Sequence, residues 1–171
     1  RDSFKRSTDN GATWESVQRL SYNAGASQQP SVAAYLGNVF VAWMDNTFGN
    51  CEIFFKRSTD SGGSWEATQR LTFNAGDSLW PSLAVSSSNV YVAWHDDTFW
   101  NYEIFFKRST DYGATWETTQ RLTNNEGTSR YPSLAASGNN AYVAWEDTTF
   151  GGNWEIFFKR SLDNGSTWEA T

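Results

Sequence analysis

One eight-residue pattern, Ser-x-Asp-x-Gly-x-Ser/Thr-Trp, occurs four times along the chain. The copies, which we call the Asp stretches, span residues 7–14, 58–65, 109–116 and 161–168. Their aspartates lie 51, 51 and 52 residues apart. Self-similarity with a period of roughly 20–50 residues is typical of solenoids, propellers and other repeat arrays. The spacing therefore predicts a fold built from one repeated structural unit.

Each unit contains four short runs rich in β-branched and aromatic residues, separated by clusters of Gly, Asn, Asp and Ser. This pattern is typical of strands and turns, and no helical period interrupts it. The three prolines recur at one position per unit, which we place at the start of the first strand, where a missing N–H costs least. In the best-matched unit we predict strands A, B, C and D at residues 81–85, 90–96, 103–109 and 116–122, and the prolines are Pro30, Pro81 and Pro132.

Four strands per repeat predict an all-β fold, a β-propeller of four-stranded antiparallel blades. Residues 1–171 are predicted to be one propeller segment of about three and a half blades. Closed propellers contain typically 4–8 blades. We therefore expect a homo-oligomer, or a longer chain, to complete the ring, and the start at Arg1 within a repeat favours a processed or partial chain. The predicted divisions are 1–21 (half blade, strands C and D), 22–72, 73–123 and 124–171.

The Asp stretches are predicted to form tight hairpins between strands C and D. Glycine supplies the positive φ that such turns need, and the Asp carboxylate and Ser hydroxyl can bond backbone N–H groups within the turn. The Trp ring can pack over the turn, between blades. The residues assigned to this structural role are Ser7, Asp9, Gly11, Trp14, Ser58, Asp60, Gly62, Trp65, Ser109, Asp111, Gly113, Trp116, Ser161, Asp163, Gly165 and Trp168.

The pattern, once per four-stranded unit, resembles the Asp-box (BNR) repeat of sialidases and related secreted β-propellers. The flanking segments 131–135, 143–145 and 155–161 are similar to those of multi-Asp-box propellers of exported bacterial proteins. The resemblance covers the whole chain. It implies a secreted, extracellular or periplasmic location. It also implies that the Asp box stabilises the fold on the face opposite the active site.

In a propeller blade the D–A and B–C loops share the face where ligands usually bind. Residues that differ from blade to blade on this face are candidates for ligand binding, whereas repeated residues are more typical of the scaffold. Aromatic rings beside polar groups suit sugars, whose C–H faces stack on the rings, so a glycan or polysaccharide is the predicted partner. Packing between blades is the alternative for each ring. The candidates are Trp80, His95, Trp100, Tyr102, Arg130, Tyr131, Glu146 and Trp154.

Catalytic residues are not predicted. The resemblance implies that a sialidase would need three arginines clamping a carboxylate, a Tyr–Glu nucleophile pair and an Asp acid. Apart from Arg1, Arg130 is the one arginine that does not recur from unit to unit. Glu146 and Asp147 are adjacent on one strand and point to opposite faces, so they are poorly placed to flank one glycosidic bond.

Three functions follow from these observations. The first is a non-catalytic propeller that binds glycan through the D–A and B–C loops. The second is a fragment of a sialidase-like glycoside hydrolase whose catalytic residues lie in other blades. The third is a repeat scaffold for protein contacts. Near-identical blades favour binding or scaffold roles, because a catalytic site needs asymmetry.

Charge and composition limit the other partners. The net charge is −6 and the Lys-Arg pairs stand near acidic residues, so nucleic acid is not a predicted partner. No apolar run approaches 18 residues, so no membrane span is predicted. Neither a metal nor a cofactor is predicted: His95 is the only histidine, and the repeated Asp45, Asp96 and Asp147 are expected to cap the B–C turns. Calcium at these oxygen-rich turns is an alternative.

Overall fold

The computed structural model describes residues 3–170, which fold into strands, turns and loops without a helix. None of these residues forms a helix long and apolar enough to cross a membrane. The strands are β1 (Ser3–Phe4), β2 (Gln18–Arg19), β3 (Ser27–Tyr35), β4 (Asn38–Asp45), β5 (Glu52–Ser58), β6 (Gln69–Arg70), β7 (Ser78–Ser86), β8 (Asn89–Asp96), β9 (Glu103–Ser109), β10 (Gln120–Arg121), β11 (Ser129–Ser137), β12 (Asn140–Asp147) and β13 (Glu155–Ser161).

The strands form four antiparallel sheets in sequence order, which we number I to IV. Sheet I pairs β1 with β2, sheet II has the order β3-β4-β5-β6, sheet III the order β7-β8-β9-β10, and sheet IV the order β11-β12-β13. Each strand pairs with its neighbour in the sequence, as expected for a meander joined by short turns. The prediction of an all-β, propeller-blade fold is confirmed.

The position of the prolines corrects the predicted start of strand A. The strand begins three residues before the proline, at Ser78 rather than Pro81, and its pairing with β8 shifts register between Leu79 and Ser82. Pro81 therefore lies within a β-bulge. A bulge accommodates proline because it already interrupts the hydrogen-bond ladder. The same shift occurs in sheets II and IV.

The predicted D strand is also longer than the observed one. In sheet III the backbone N–H of Glu117 donates to the carbonyl of Arg108, but regular pairing begins only at Gln120, opposite Phe106. The D segment has one more residue than its partner between these points, so it bulges out of the ladder. Sheet IV has three strands among the described residues, because the sequence ends before a matching Gln-Arg pair; the predicted fourth strand there is not formed.

The core lies between the sheets and is centred on β4, β8 and β12, the second strands of sheets II, III and IV. Trp43, Trp94 and Trp145 are at most 2% exposed, and apolar side chains of neighbouring sheets pack around them. The first strands of adjacent sheets also meet directly, since Ser31 Oγ accepts the Leu83 N–H at 2.9 Å. Burial of both faces of β4 and β8 agrees with their predicted near-continuous apolar sequence, whereas in β12 buried and partly exposed residues alternate.

The second, third and fourth Asp stretches each contact the preceding sheet. The ring of Trp116 packs edge-on against Phe55 at 4.9 Å between centroids. Arg57 donates to the carbonyl of Tyr112 at 3.0 Å, and Gln69 donates to the carbonyl of Gly113 at 3.0 Å. Equivalent contacts join sheets I and II and sheets III and IV. The repeated arginines therefore serve as links between successive blades.

The two ends of this series are uncovered. Trp14, in the first Asp stretch, is 60% exposed because no preceding phenylalanine meets it. At the other end Phe158, the equivalent of Phe55, is 54% exposed, and Ile156 beside it on β13 is also exposed. Among the described residues, Trp14 at one end and Phe158 at the other are thus the two partners of one further Trp–Phe contact between blades.

Candidate functional site

The bulge at each proline aims one side chain out of the first strand. Gln29, Trp80 and Tyr131 precede Pro30, Pro81 and Pro132, and all three have φ of 53°. A left-handed backbone is unfavourable for a residue with a β-carbon, and proline further disfavours α conformations at the preceding residue. Strain of this kind tends to cluster at functional sites, and bulges often re-aim side chains there.

A cluster of aromatic rings forms where sheets III and IV meet. His95, at the end of β8, is buried, and its Nδ1 accepts the backbone N–H of Tyr131 at 3.2 Å. The imidazole ring meets Tyr102 at 4.9 Å and Tyr131 at 5.4 Å, both edge-on. Tyr131 in turn meets Trp80 edge-on at 5.1 Å. Trp80 and Tyr131 remain 43% exposed, so the cluster presents rings to solvent above a buried histidine.

Arg130 adds one positive charge to this cluster. Its guanidinium carbon lies 4.9 Å from the centre of the Tyr102 ring and 5.3 Å from that of Trp154, within the range of cation–π attraction. Its buried Nε has no hydrogen-bond partner among the described residues. Trp154 is half-exposed. We call Trp80, Tyr131 and Trp154, with Arg130, Tyr102 and His95 beside them, the aromatic platform.

Six of the eight candidate ligand-binding residues are thus brought together, and two are not. Glu146 lies opposite Arg130 in the pairing of β11 with β12 but takes no part in the ring and cation contacts described above. Trp100 lies at the tip of the β8–β9 loop and is fully exposed. Asp147, the neighbour of Glu146, is buried and accepts hydrogen bonds from Ser129 and Asn125.

The platform's electrostatics follow from burial. Desolvation, followed by the positive charge of Arg130, lowers the pKa of His95 to about 4. The imidazole is therefore neutral at neutral pH, as its acceptor role toward Tyr131 requires. Chemically, the platform offers aromatic faces, one cation and few ionisable groups. That combination suits stacking and hydrogen bonding rather than proton transfer.

The Asp stretches use their polar groups within the turn. In the second copy, Asp60 accepts the Ser64 N–H at 2.8 Å and its hydroxyl at 2.6 Å, while Ser58 Oγ accepts the Gly62 N–H at 2.8 Å. The same bonds recur in the other three copies. In the first copy, bonds from the Thr13 hydroxyl and N–H and from Ser7 lower the pKa of Asp9 to about 2.

The loops between the second and third strands are held in the same way. Asp45 accepts hydrogen bonds from Ser27 and Asn23, both at 2.5 Å, and from Thr47. Asp96 and Asp147 have equivalent partners. Among residues 3–170 no three His, Cys, Asp or Glu side chains lie close enough to hold a metal ion.

Sequence reasoning missed a buried ion pair that recurs beside these loops. Glu52 and Glu103 are fully buried and pair with Arg70 and Arg121 at 2.6 and 3.0 Å. A glutamate at the start of every Glu-Ile-Phe-Phe run was the available signal. Sequence reasoning also missed the positive φ before each proline, although the recurring x-Pro position marked it.

Comparison with solved structures places the fold. A Hadza microbial sialidase is 16% identical, with a TM-score of 0.69 over 90% of this chain and 40% of that one. Trypanosoma rangeli sialidase, as a covalent intermediate with 2,3-difluorosialic acid, is 15% identical, with a TM-score of 0.65 over 98% and 32%. A Penicillium chrysogenum α-L-arabinanase complexed with arabinobiose is 14% identical, with a TM-score of 0.68 over 98% and 57%.

No family model and no curated protein matches the sequence. The chain spans from 32% to 57% of the length of the three solved structures named above. At these identities the likeness establishes architecture, and it agrees with the antiparallel sheets and the inter-sheet core. The chain therefore has the sialidase-like β-propeller fold, and residues 3–170 correspond to some of the blades of such a propeller.

Proposed function

We propose that this propeller segment binds a glycan at the aromatic platform and performs no chemistry there. The assembly of Trp80, Tyr131 and Trp154 around Arg130 carries the proposal. Exposed rings can stack on the C–H faces of a sugar, and the guanidinium N–H groups and tyrosine hydroxyls can bond its hydroxyl groups. The bulge before each proline is repeated, but only Trp80 and Tyr131 place aromatic rings there, since the equivalent residue of the first complete blade is Gln29.

The side chains of the platform lack the groups that glycoside hydrolysis needs. Its single histidine is buried and neutral, and Arg130 is its single arginine. Glu146 and Asp147 project to opposite sides of β12, and Asp147 is bonded to Ser129 and Asn125. Two carboxyl groups roughly 5–9 Å apart across a substrate are needed for most glycoside hydrolysis, and this platform supplies no such pair.

A binding assay with repeat-matched variants tests the proposal. Gln29 occupies the position of Trp80 and Tyr131 with the same φ, so Trp80→Gln and Tyr131→Gln substitute a residue that this backbone already accommodates. We expect each variant to weaken binding on a glycan array and in calorimetry by about tenfold. Leu162→Thr is the control and should bind as the wild type does, because Leu162 is exposed in the fourth Asp stretch and threonine stands at its position in the other three copies. Unchanged binding in both platform variants would refute the proposal.

A glycoside hydrolase is the second candidate function, and the comparisons favour it specifically. The solved structures with this fold named above are sialidases and an arabinanase. In this case the present blades would contribute the platform, and catalytic residues would lie in other blades. Turnover of a fluorogenic sialoside or arabinoside by the full-length gene product would establish it. Absence of turnover together with glycan binding would favour the first proposal.

Three further assignments accompany the first proposal. We infer that the Asp stretches are structural turns, supported by their internal hydrogen bonds and low carboxyl pKa values. We infer a secreted or periplasmic location, supported by the resemblance to exported propellers. We also infer that a second copy, or a further part of a longer chain, covers the exposed faces at Trp14 and Phe158. A protein-contact scaffold would instead bind partner proteins and no glycan.

A further inference from the structure

Trp100 contributes nothing to the core. Its side chain is 100% exposed, whereas the tryptophans of the second strands are at most 2% exposed. It packs against no other aromatic ring or cation among the described residues. A tryptophan that is fully in water gains no burial energy from folding, so its place in the loop needs another explanation.

The backbone at Trp100 is also unfavourable. Its φ is 83°, in the region that glycine prefers, and the equivalent positions in the other blades are glycines. Gly49 has φ of 112°, and Gly151 and Gly152 both have φ of 75°. A bulky residue with positive φ is an outlier that normally persists where function requires it. The second complete blade thus has a strained tryptophan where the blades before and after it have glycine.

A recess lies beside Trp100 on the same face as the platform. It has a volume of about 320 Å³ and is lined by Ala75, Gly76, Asp97, Thr98 and Trp100. The loop before β7 and the loop after β8 are in close contact here, since a β-carbon on Gly76 would lie 2.5 Å from the Thr98 nitrogen. The recess is therefore built from two loops that hold each other in position.

Asp97 is specific to this blade as well. Its Oδ1 accepts the Asp77 N–H at 2.7 Å, the same bond that Asn46 and Thr148 make in the other blades. Its second oxygen accepts no hydrogen bond from any described residue, which leaves an acceptor on the rim of the recess. Asn46 and Thr148 are uncharged. The carboxylate and the strained tryptophan therefore occur together, in one loop of one blade.

The recess is continuous with the platform along the chain. Tyr102, which contacts His95 and Arg130, is two residues from Trp100, so their backbones are within about 7 Å of each other. Trp100 contacts none of the platform's rings, so separate sugar rings of one chain are needed to stack on both surfaces.

We propose that the Trp100 recess is a second subsite that binds a neighbouring sugar of the same chain, and that the ligand is an internal stretch of a neutral oligosaccharide. The inference rests on glycan binding at the platform. Trp100 provides a stacking surface, and the free oxygen of Asp97 accepts sugar hydroxyl groups. The Asp97 carboxylate disfavours an anionic sugar at this position.

The test uses Trp100→Gly, which installs the residue of the other blades and removes the strain. Binding of neutral arabino-, xylo- and cello-oligosaccharides, from dimer to hexamer, is measured by calorimetry. For the wild type we expect affinity to rise with chain length. For Trp100→Gly we expect unchanged dimer binding and hexamer binding weaker by about tenfold. Its thermal midpoint should equal or exceed that of the wild type.

Asp97→Asn keeps the bond to Asp77 and is expected to weaken hexamer binding without affecting the dimer. Equal hexamer affinity in wild type and Trp100→Gly would overturn the subsite. If Trp80→Gln and Tyr131→Gln leave dimer binding unchanged, the platform proposal fails instead. If the wild type binds none of these sugars, the neutral-oligosaccharide subsite is overturned, and sialylated or uronate-containing probes then decide the platform separately.

Discussion

His95 shows how burial sets the behaviour of a single residue. It is surrounded by the rings of Tyr102 and Tyr131, with Arg130 and Asp96 as the nearby charged groups. The ring is held neutral because both burial and Arg130 oppose protonation. Its neutral Nδ1 is needed to accept the Tyr131 N–H. The residue therefore couples the shape of the platform to pH.

We predict a pH-dependent stability that His95 controls. The pKa of His95 falls from 6.5 to about 4 on folding, so between these values the unfolded chain binds more protons. Stability should be full above about pH 6.5 and decline toward pH 4, by up to about 3 kcal/mol. Urea unfolding across this range measures it. His95→Met, the residue at the equivalent position 44, should remove this decline; an unchanged pH profile would contradict the prediction.

We predict that Asp111 stabilises its turn. Burial acts to raise the pKa of Asp111, but hydrogen bonds from Ser109 and Thr115 outweigh it and lower the pKa to about 2. The stabilisation is present above the ordinary value of 3.8 and is lost as the pH falls toward 2. Asp111→Ala should cost about 1–3 kcal/mol at pH 7, measured by urea unfolding. Asp9→Ala removes the same bonds in the first copy and should destabilise that turn too, and an unchanged free energy of unfolding in Asp111→Ala would contradict the prediction.

At the scale of elements, the turn glycines meet two separate requirements: a positive φ, and space for a side chain of the preceding sheet. Gly113 has φ of 79°, and a β-carbon there would lie 2.6 Å from Phe55 Cζ. Gly11 has φ of 87° but meets nothing within 4 Å. The first glycine is needed both for its backbone conformation and for the close approach of the preceding sheet. The second is needed for conformation alone.

We predict that this difference appears in alanine variants. Gly11→Ala should cost about 1–2 kcal/mol, because alanine is strained at positive φ. Gly113→Ala should cost about 1–3 kcal/mol more, because it also displaces the Phe55 ring, which Trp116 contacts as well. Differential scanning calorimetry or urea unfolding measures both. Equal losses would show that the Phe55 ring moves aside freely.

At the scale of the whole molecule, a Trp–Phe contact is repeated between successive blades. At each end of the series one of the two rings has no Trp–Phe partner among the described residues. These rings are Trp14 and Phe158, and both are more than half exposed. A surface on one end that complements a surface on the other gives a head-to-tail contact, which closes into a ring or extends into a filament.

We predict that residues 1–171 associate head to tail. Light scattering after size exclusion should show a mass above 19.3 kDa that rises with concentration. Phe158→Asp should shift the protein toward the monomer, because it places a charge where an aromatic ring would pack. Phe150→Asp is the control, since that exposed ring lies in the β12–β13 loop. A monomer at every concentration would contradict the prediction.

Several features of the site were predictable and others were not. The blade-to-blade differences at Trp80, Arg130 and Tyr131 identified most of the platform, because scaffold residues repeat and these do not. Burial of His95 was not predictable from its position near the end of strand B, beside the B–C loop. It depends on Tyr102 and Tyr131, which lie 7 and 36 positions away in the chain and meet only in the folded sheets.

The amino-acid sequence by itself determined the repeat, the strand order and the turn chemistry, because those depend on local periodicity and on residues within one turn. The tertiary structure decided where each strand begins, because the bulge at Pro81 arises from pairing between strands. It also decided which rings share the platform and that Trp100 stands apart in a strained backbone. Those outcomes depend on how neighbouring sheets pack, which no local pattern encodes.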